Sequence, residues 1–427
     1  MTDRPQLRPA LSSLAADLDD LLAVSDAELA TGYPGDVGGR QPVHTAYVPA
    51  HQFGSRTVRL WGSQALAALE EFAPDPARFA EIFALSPKLA GQVRSLVQAK
   101  LANEPIEDLR IDFEDGYGRR SDDTEDAHAR STARSLRAVL SEDGAPPFVG
   151  IRCKSLEPKT RRRAIGTVAA FLDAFFESGD PLLDFLVTLP KVTSAAQVAA
   201  MNELCQRFEC AYRPPPHRRW LAFEVQVETP QLILGADGTA TIAKCVHAGR
   251  DRLRGLHYGT YDYSAALDVS AAYQSLEHPA ADYAKAVMQV AAAGTGIRLS
   301  DGSSNVLPVG TGAEVIAAWQ LHARLVRRSL ERGFYQGWDL HPAQLVSRYA
   351  ATYAFYRQGL ASSARRLRLY GERAAAGLEE PATGRALASY LSRALDCGGV
   401  TEAEVEAQTG LDRARLRSAR RTGVVPS

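Results

Sequence analysis

Acids and bases close the short apolar runs of this chain. LRIDFED (Leu109–Asp115) ends in Asp112, Glu114 and Asp115, and FVGIRCK carries Arg152 with Lys154 close behind. DFLVTLPKV holds Lys191 near its end, LAFEVQVET holds Glu228, LRGLHYGTYDY holds Asp262 and GWDLHP holds His341. A charge at the end of an apolar strand is costly unless it is paired or binds an ion. Glu228 and Asp262 close consecutive runs and would repel each other without a cation between them. Hard carboxylate oxygens with open positions suit Mg2+ or Mn2+, which keep waters or take substrate oxygens. A 2-oxo acid chelates such an ion, and the ion then stabilises the enolate formed as a carbon–carbon bond is made or broken. Arg152 has the planar fork that pairs bidentately with a substrate carboxylate, and it could equally anchor the Asp112–Asp115 cluster. Taken singly, each metal-ligand candidate also reads as a salt bridge or a helix N-cap. Lys191 and His341 also read as hydrogen-bonded structural groups, with His341, just before a proline, fixing a turn.

To converge, these residues need a scaffold that gathers the ends of eight runs. The remaining runs are VHTAYVPA (Val43–Ala50) and AVMQVAAAG (Ala286–Gly294). Most of the runs are continuous apolar stretches, the pattern of strands buried on both faces of a parallel sheet. Segments long enough for crossover helices lie between them, Ser194–Phe208 and Glu314–Arg332 among them. Such alternation predicts an α/β fold closed as a (β/α)8 TIM barrel, whose reactive groups collect at the C-terminal strand ends. An open doubly wound sheet is the alternative, and the lack of a G-x-G-x-x-G after the first run weakens a dinucleotide-binding version of it.

Upstream, Asp17–Ala30 is amphipathic and predicts a short helix, and TGYPGDVGGRQP (Thr31–Pro42) predicts a loop. Beyond Pro342 the pattern turns helical. The expected organisation is an N-terminal helix and loop over 1–42, a catalytic barrel over 43–345, and a helical C-terminal extension over 346–427. That extension would pack on the barrel or on a neighbouring subunit. Its last stretch, TEAEVEAQTGLDRARLRSARRTGVVPS, has the form of a small helix–turn–helix with a basic end; the plainer expectation is a solvated helix with a frayed tail.

The chain has 427 residues, 45% of them hydrophobic and 23% charged, with a formal net charge of -1. That balance points to no nucleic-acid partner and to no acidic tail. Cys153, Cys205, Cys210, Cys245 and Cys397 are odd in number, form no C-x-x-C pair, and suit a reducing compartment. No apolar run reaches the roughly 20 residues of a membrane helix, and the first residues lack a signal-peptide core. A cytoplasmic protein with no membrane contact is expected.

At the same residues the sequence resembles the citrate lyase beta-subunit and HpcH/HpaI aldolase superfamily of phosphoenolpyruvate/pyruvate-type barrels. RIDFEDGYG resembles the family's D-x-E-D/H element, GIRCKS its arginine strand, and VTLPKVTSAAQV its L-P-K-V-x-S element. FEVQVETPQLIL and GLHYGTYDYSAAL are similar to its metal-ligand glutamate and aspartate elements, and GFYQGWDLHPAQL to G-F-x-G-K-x-x-I-H-P-x-Q. The motifs run in family order. The resemblance implies Mg2+ or Mn2+ at Glu228 and Asp262, and Arg152 as binder of the substrate carboxylate. It also implies that Asp112, Glu114 and Asp115 order water and the reacting group. Asp115, aspartate rather than the aldolase branch's histidine, implies the acyl-thioester lyases. It further implies a homo-oligomer, trimer or hexamer.

The departures are specific. PVHTAYVPA lacks the family's early arginine, for which Arg40 or His44 would substitute. Gly337-Trp338 stands where the family has a glycine and a lysine. GLEEP offers Glu379 where the lyases have an aspartate used in acid–base work. The expected activity is therefore a metal-dependent carbon–carbon lyase or aldolase acting on a 2-oxo acid adduct or an acyl-CoA thioester. In it Arg152 and Lys191 bind substrate, and Asp115 or Glu379 moves the proton. The alternatives are a malate-synthase-like condensation of glyoxylate with acetyl-CoA, and a non-catalytic metabolite-binding barrel with a basic tail.

Overall fold

The computed structural model describes residues 7–36, 38–177, 179, 183–212, 219–249, 252–374 and 380–425. Eight strands alternate with helices: β1 (His44–Pro49), β2 (Asp108–Asp112), β3 (Phe148–Arg152), β4 (Phe185–Leu189), β5 (Leu221–Val227), β6 (Leu253–Tyr258), β7 (Arg298–Ser300) and β8 (Gly337–Asp339). All pair in parallel in the order β7-β6-β5-β4-β3-β2-β1-β8, and a bridge from Ser300 to Gln336 joins the two ends. The sheet is the expected TIM barrel, followed by C-terminal helices. The crossover helices include Ala195–Tyr212 and Gly312–Glu331. The latter opens on a capping box in which Thr311 and Glu314 satisfy each other's backbone donors.

Side chains alternate along a strand, and here the alternation sorts charge from grease. In β2, Leu109 and Ile111 are fully buried toward the surrounding helices, while Asp108 and Arg110 meet inside the barrel. In β5, Phe223, Val225 and Val227 take the helix side, and Glu224 joins Arg110 within. These strands are therefore alternating, not continuously apolar as their composition suggests. Arg110 finds room because β3 presents Gly150 beside it: a Cβ there would lie 2.1 Å from Arg110 Nη1 and 1.9 Å from the Leu186 carbonyl oxygen.

The seventh strand corrects the sequence reading. Ala286–Gly294 is not a strand; it falls on the helix Pro279–Ala292 and the turn after it. β7 is the three-residue segment Arg298–Ser300, set off by Gly294 and Gly296 at φ of 76° and 77°. A single helical face with Ala281, Ala284, Met288 and Ala292 buried explains the apolar spacing that mimicked a strand.

The N-terminal helix runs over Leu7–Gly32, longer than expected, and Leu14, Leu18 and Leu21 on it are exposed. At the other end, the helix Gln344–Ala374 packs on the barrel through Tyr349, whose hydroxyl donates to the Pro105 carbonyl at 2.9 Å. The final stretch is not a frayed tail. Helices Glu402–Thr409 and Arg413–Thr422 join at left-handed Gly410, and Val405, Leu411, Leu416 and Ala419 are buried. No helix among the described residues is long and apolar enough to cross a membrane.

Candidate active site

At the C-terminal strand ends, β2 and β3 supply the first pair. Arg152 donates from Nε and Nη2 to the two oxygens of Asp112, both at 2.7 Å. Its Nη1 edge lies 3.3 Å from Gln226 Oε1, 3.4 Å from Glu114 Oε2 and 3.8 Å from Asp115 Oδ2. Below it lies the Tyr47 ring, 5.0 Å from the guanidinium carbon, and Trp338 packs on Tyr47 at 4.6 Å between centroids. Arg152 is thus the internal anchor of the Asp112–Asp115 cluster. Asp112 also turns the loop after β2, accepting from the backbone N–H of Glu114 and Gly116 at 2.9 Å each.

Lys191 collects the remaining acids. It follows β4 in a left-handed conformation, φ 53°. Its Nζ lies 2.9 Å from Glu114, 3.3 Å from Asp115, 3.2 Å from Asp262 and 3.8 Å from Glu228. Its backbone N–H donates to Glu228 Oε1 at 2.7 Å, while the Gln226 amide donates to Glu228 Oε2. Glu228 is buried, whereas Asp262 and Asp115 sit half-exposed at the rim. Gly259 at the end of β6 permits the approach of β5, since a Cβ there would meet Glu228 Cβ at 2.6 Å.

The cluster is short of positive charge. Burial pushes Glu228 up to about 8, with Asp262 and Glu114 adding to the rise against Lys191. Burial lifts Glu114 to about 7, helped by Asp115 and opposed by Arg152. Lys191 is held well above its ordinary value: burial works against it, and Glu228, Glu114 and Asp115 outweigh that. Among the described residues no three His, Cys, Asp or Glu side chains already enclose a metal position. The ammonium of Lys191 stands where the carboxylates meet. An all-oxygen donor set around one cationic centre fits a hard dication.

Several expected participants lie elsewhere. Arg40 sits at the opposite end of the barrel, 2.5 Å from Glu104 and 2.7 Å from Glu107, just before β2. It cannot bind substrate at the mouth. His44 begins β1 and pairs with Asp339 at 2.7 Å, also away from the mouth. Lys154 donates to the Phe113 carbonyl and pairs with buried Glu125 at 2.8 Å. His341 accepts from the Ala343 N–H at 3.2 Å and fixes the turn before Gln344. Glu379 lies outside the described residues. Gln226 and Tyr47 went unremarked in the sequence. The i, i+2, i+4 run Glu224, Gln226, Glu228 would have found Gln226, because those positions share a face of β5.

A family model described as "Domain of unknown function (DUF6986)" matches residues 22–424. No curated protein matches the sequence. Among solved structures, a magnesium/glyoxylate complex of Haloferax volcanii malate synthase is 14% identical with a TM-score of 0.47, covering 73% of this chain and 75% of that one. The citrate lyase beta subunit from M. tuberculosis, complexed with oxaloacetate and magnesium, is 16% identical with a TM-score of 0.40, covering 73% and 96%. An HpcH/HpaI aldolase/citrate lyase family protein from Burkholderia cenocepacia J2315 is 15% identical with a TM-score of 0.40, covering 76% and 95%. Likeness of this degree assigns no reaction to the chain.

Proposed function

Since the chain belongs to the DUF6986 family, we propose its reaction from the barrel mouth itself: metal-dependent cleavage or formation of a carbon–carbon bond next to a 2-oxo acid, as a lyase or aldolase acting on a 2-oxo acid adduct or an acyl-CoA thioester. The observation that carries this reading is the convergence of Glu114, Asp115, Glu228 and Asp262 on a single ammonium, with two of those carboxyls pushed up toward neutrality. Even with Arg152 reaching Glu114 and Asp115 at its edge, Glu228 and Asp262 have Lys191 as their one cation pair among the described residues.

Glu228 and Asp262 would hold Mg2+ or Mn2+. A bound dication supplies Lewis acidity there, drawing density from the oxygens of a 2-oxo acid as charge develops. Arg152 is held rigid by Asp112, and its Nη1 edge, which a substrate carboxylate would take over from Gln226 and Glu114, orients that carboxylate at the mouth. Lys191 restrains the acids and supplies a second positive contact to an anionic substrate. Asp112 and Glu114 fix the loop that carries Asp115, and Asp115, half-exposed at the rim, moves the proton. A trimer or hexamer remains part of the proposal on the resemblance alone.

The test is a retro-aldol assay of purified protein with Mg2+ on malyl- and citramalyl-thioesters and hydroxy-2-oxo acids. Cleavage that disappears with chelator and in Glu228→Gln is expected. Turnover indifferent to both would remove the metal-dependent reading.

A further inference from the structure

The barrel has a second opening. At its N-terminal end, opposite the mouth, lies a cavity of about 1680 Å³ walled by the first residues of several strands, Phe148, Ala222, Leu253 and Arg298 among them. That is more than the 300–1,000 Å³ usual for small-molecule pockets. The space reaches inward to Glu224 and His257. Above those two the interior is filled by Arg110 and its ion pairs, so the cavity and the mouth are separate.

Two groups in it lack the partners their burial calls for. His257 is 1% exposed; its Nε2 lies 3.2 Å from Glu224 Oε1, and its Nδ1 has no hydrogen-bond partner. A buried ring nitrogen left so costs about 1–3 kcal/mol unless something supplies the bond. Asn202 Oδ1, also on the wall, is likewise buried and without a partner. Arg298 lies over the Phe148 ring at 5.5 Å and makes no ion pair among the described residues. Its guanidinium is held below the ordinary value by burial first and then by Arg393, and Arg254 adds to the effect. The acids facing the same space are already engaged: Asp108 with Arg110, Glu224 with Arg110 and His257, Glu209 with Arg252. Asp184 also takes part in an interaction.

We propose that this cavity binds a small organic anion, a carboxylate or phosphate on Arg298, whose polar body satisfies His257 Nδ1 and donates to Asn202 Oδ1. The class that meets all three is a hydroxy acid or a hydroxylated phosphate ester. The site is independent of the chemistry at the mouth.

Calorimetric titration of the full chain in chelator tests it, with citrate and inorganic phosphate as separate probes. At least one probe binds with one site per chain, and the one that binds identifies the anion. Arg298→Gln weakens that binding by about tenfold or more, some 1.4 kcal/mol, while Arg298→Lys retains most of it. Asn202→Leu weakens it too and serves should Arg298→Gln fail to fold. Glu228→Gln leaves it unchanged, so the result stands whatever the mouth does. Absence of binding by both probes, or wild-type affinity in Arg298→Gln or Asn202→Leu, overturns the proposal.

Discussion

Lys191 occupies a conformation that costs a non-glycine residue about 1–2 kcal/mol, and that conformation puts both its backbone N–H and its ammonium on carboxylates. Its charge is the one that reaches all four acids, Arg152 reaching only Glu114 and Asp115. Lys191→Met should therefore lower the melting temperature in chelator by several degrees, and saturating Mg2+ should raise it by more than in wild type. A variant that melts like wild type in chelator would show the acids already neutral. Arg152 carries a different load. Removing it leaves Asp112 buried and unpaired, so Arg152→Ala should cost about 3–5 kcal/mol in denaturant unfolding. Arg152→Lys keeps the charge but not the fork, and should retain more stability than turnover. The roles of Arg152 and Glu228 could be sought in the sequence because one ends β3 and the other follows β5 directly, whereas Asp262 closes no strand and sits in the first turn of the helix Thr260–Ala266 after β6. Arg40 could not be placed, because the loop ahead of β1 gives no sign of which barrel end its side chain reaches.

At the scale of elements, glycine sets the tolerances of the barrel interior. Gly150→Ala would drive a methyl group into the Leu186 carbonyl and Arg110, and no folded protein should accumulate on expression. Gly91, inside the helix Pro87–Asn103, has only Pro76 Cβ at 4.0 Å. Gly91→Ala should stabilise by about 0.5–1 kcal/mol through helix propensity alone, read by thermal unfolding. Equal outcomes for the two variants would contradict the packing described. Seven of the eight strands were legible: six fall in runs of strand length rich in apolar residues, and the three-residue β8 falls in GWDLHP, set off by the turn at His341-Pro342. β7 was hidden: three residues with two of them half-buried give no periodicity, and the helix before it is more apolar than the strand. The polar lining was equally open to view, since D-L-R-I-D and F-E-V-Q-V alternate strictly, but overall hydrophobicity drew attention from period to composition.

For the whole molecule, the interior charges link fold to pH. Burial alone would raise Glu224, yet Arg110 and His257 hold it at about 2 against an ordinary 4.5. A carboxyl depressed in the folded state contributes stability that is complete above 4.5 and is lost as the pH falls through 4.5 toward 2. Glu224→Gln should flatten that part of the acid limb. The C-terminal helices belong to the same folded body. Arg413 pairs with Glu402 at 2.7 Å, and Arg420 pairs with Asp36 at 2.5 Å, so those two arginines of the basic end are spent internally. Leu416→Ala should cost about 2–5 kcal/mol, where a solvated tail would lose nothing.

A hard dication held by Glu228 and Asp262 would be read by Mn2+ binding to the folded chain, followed by paramagnetic resonance. One Mn2+ per chain is expected, displaced by Mg2+, lost in Glu228→Gln and in Asp262→Asn, and kept in Arg298→Gln. Binding that survives both carboxylate substitutions, or folded wild type that binds none, would contradict it.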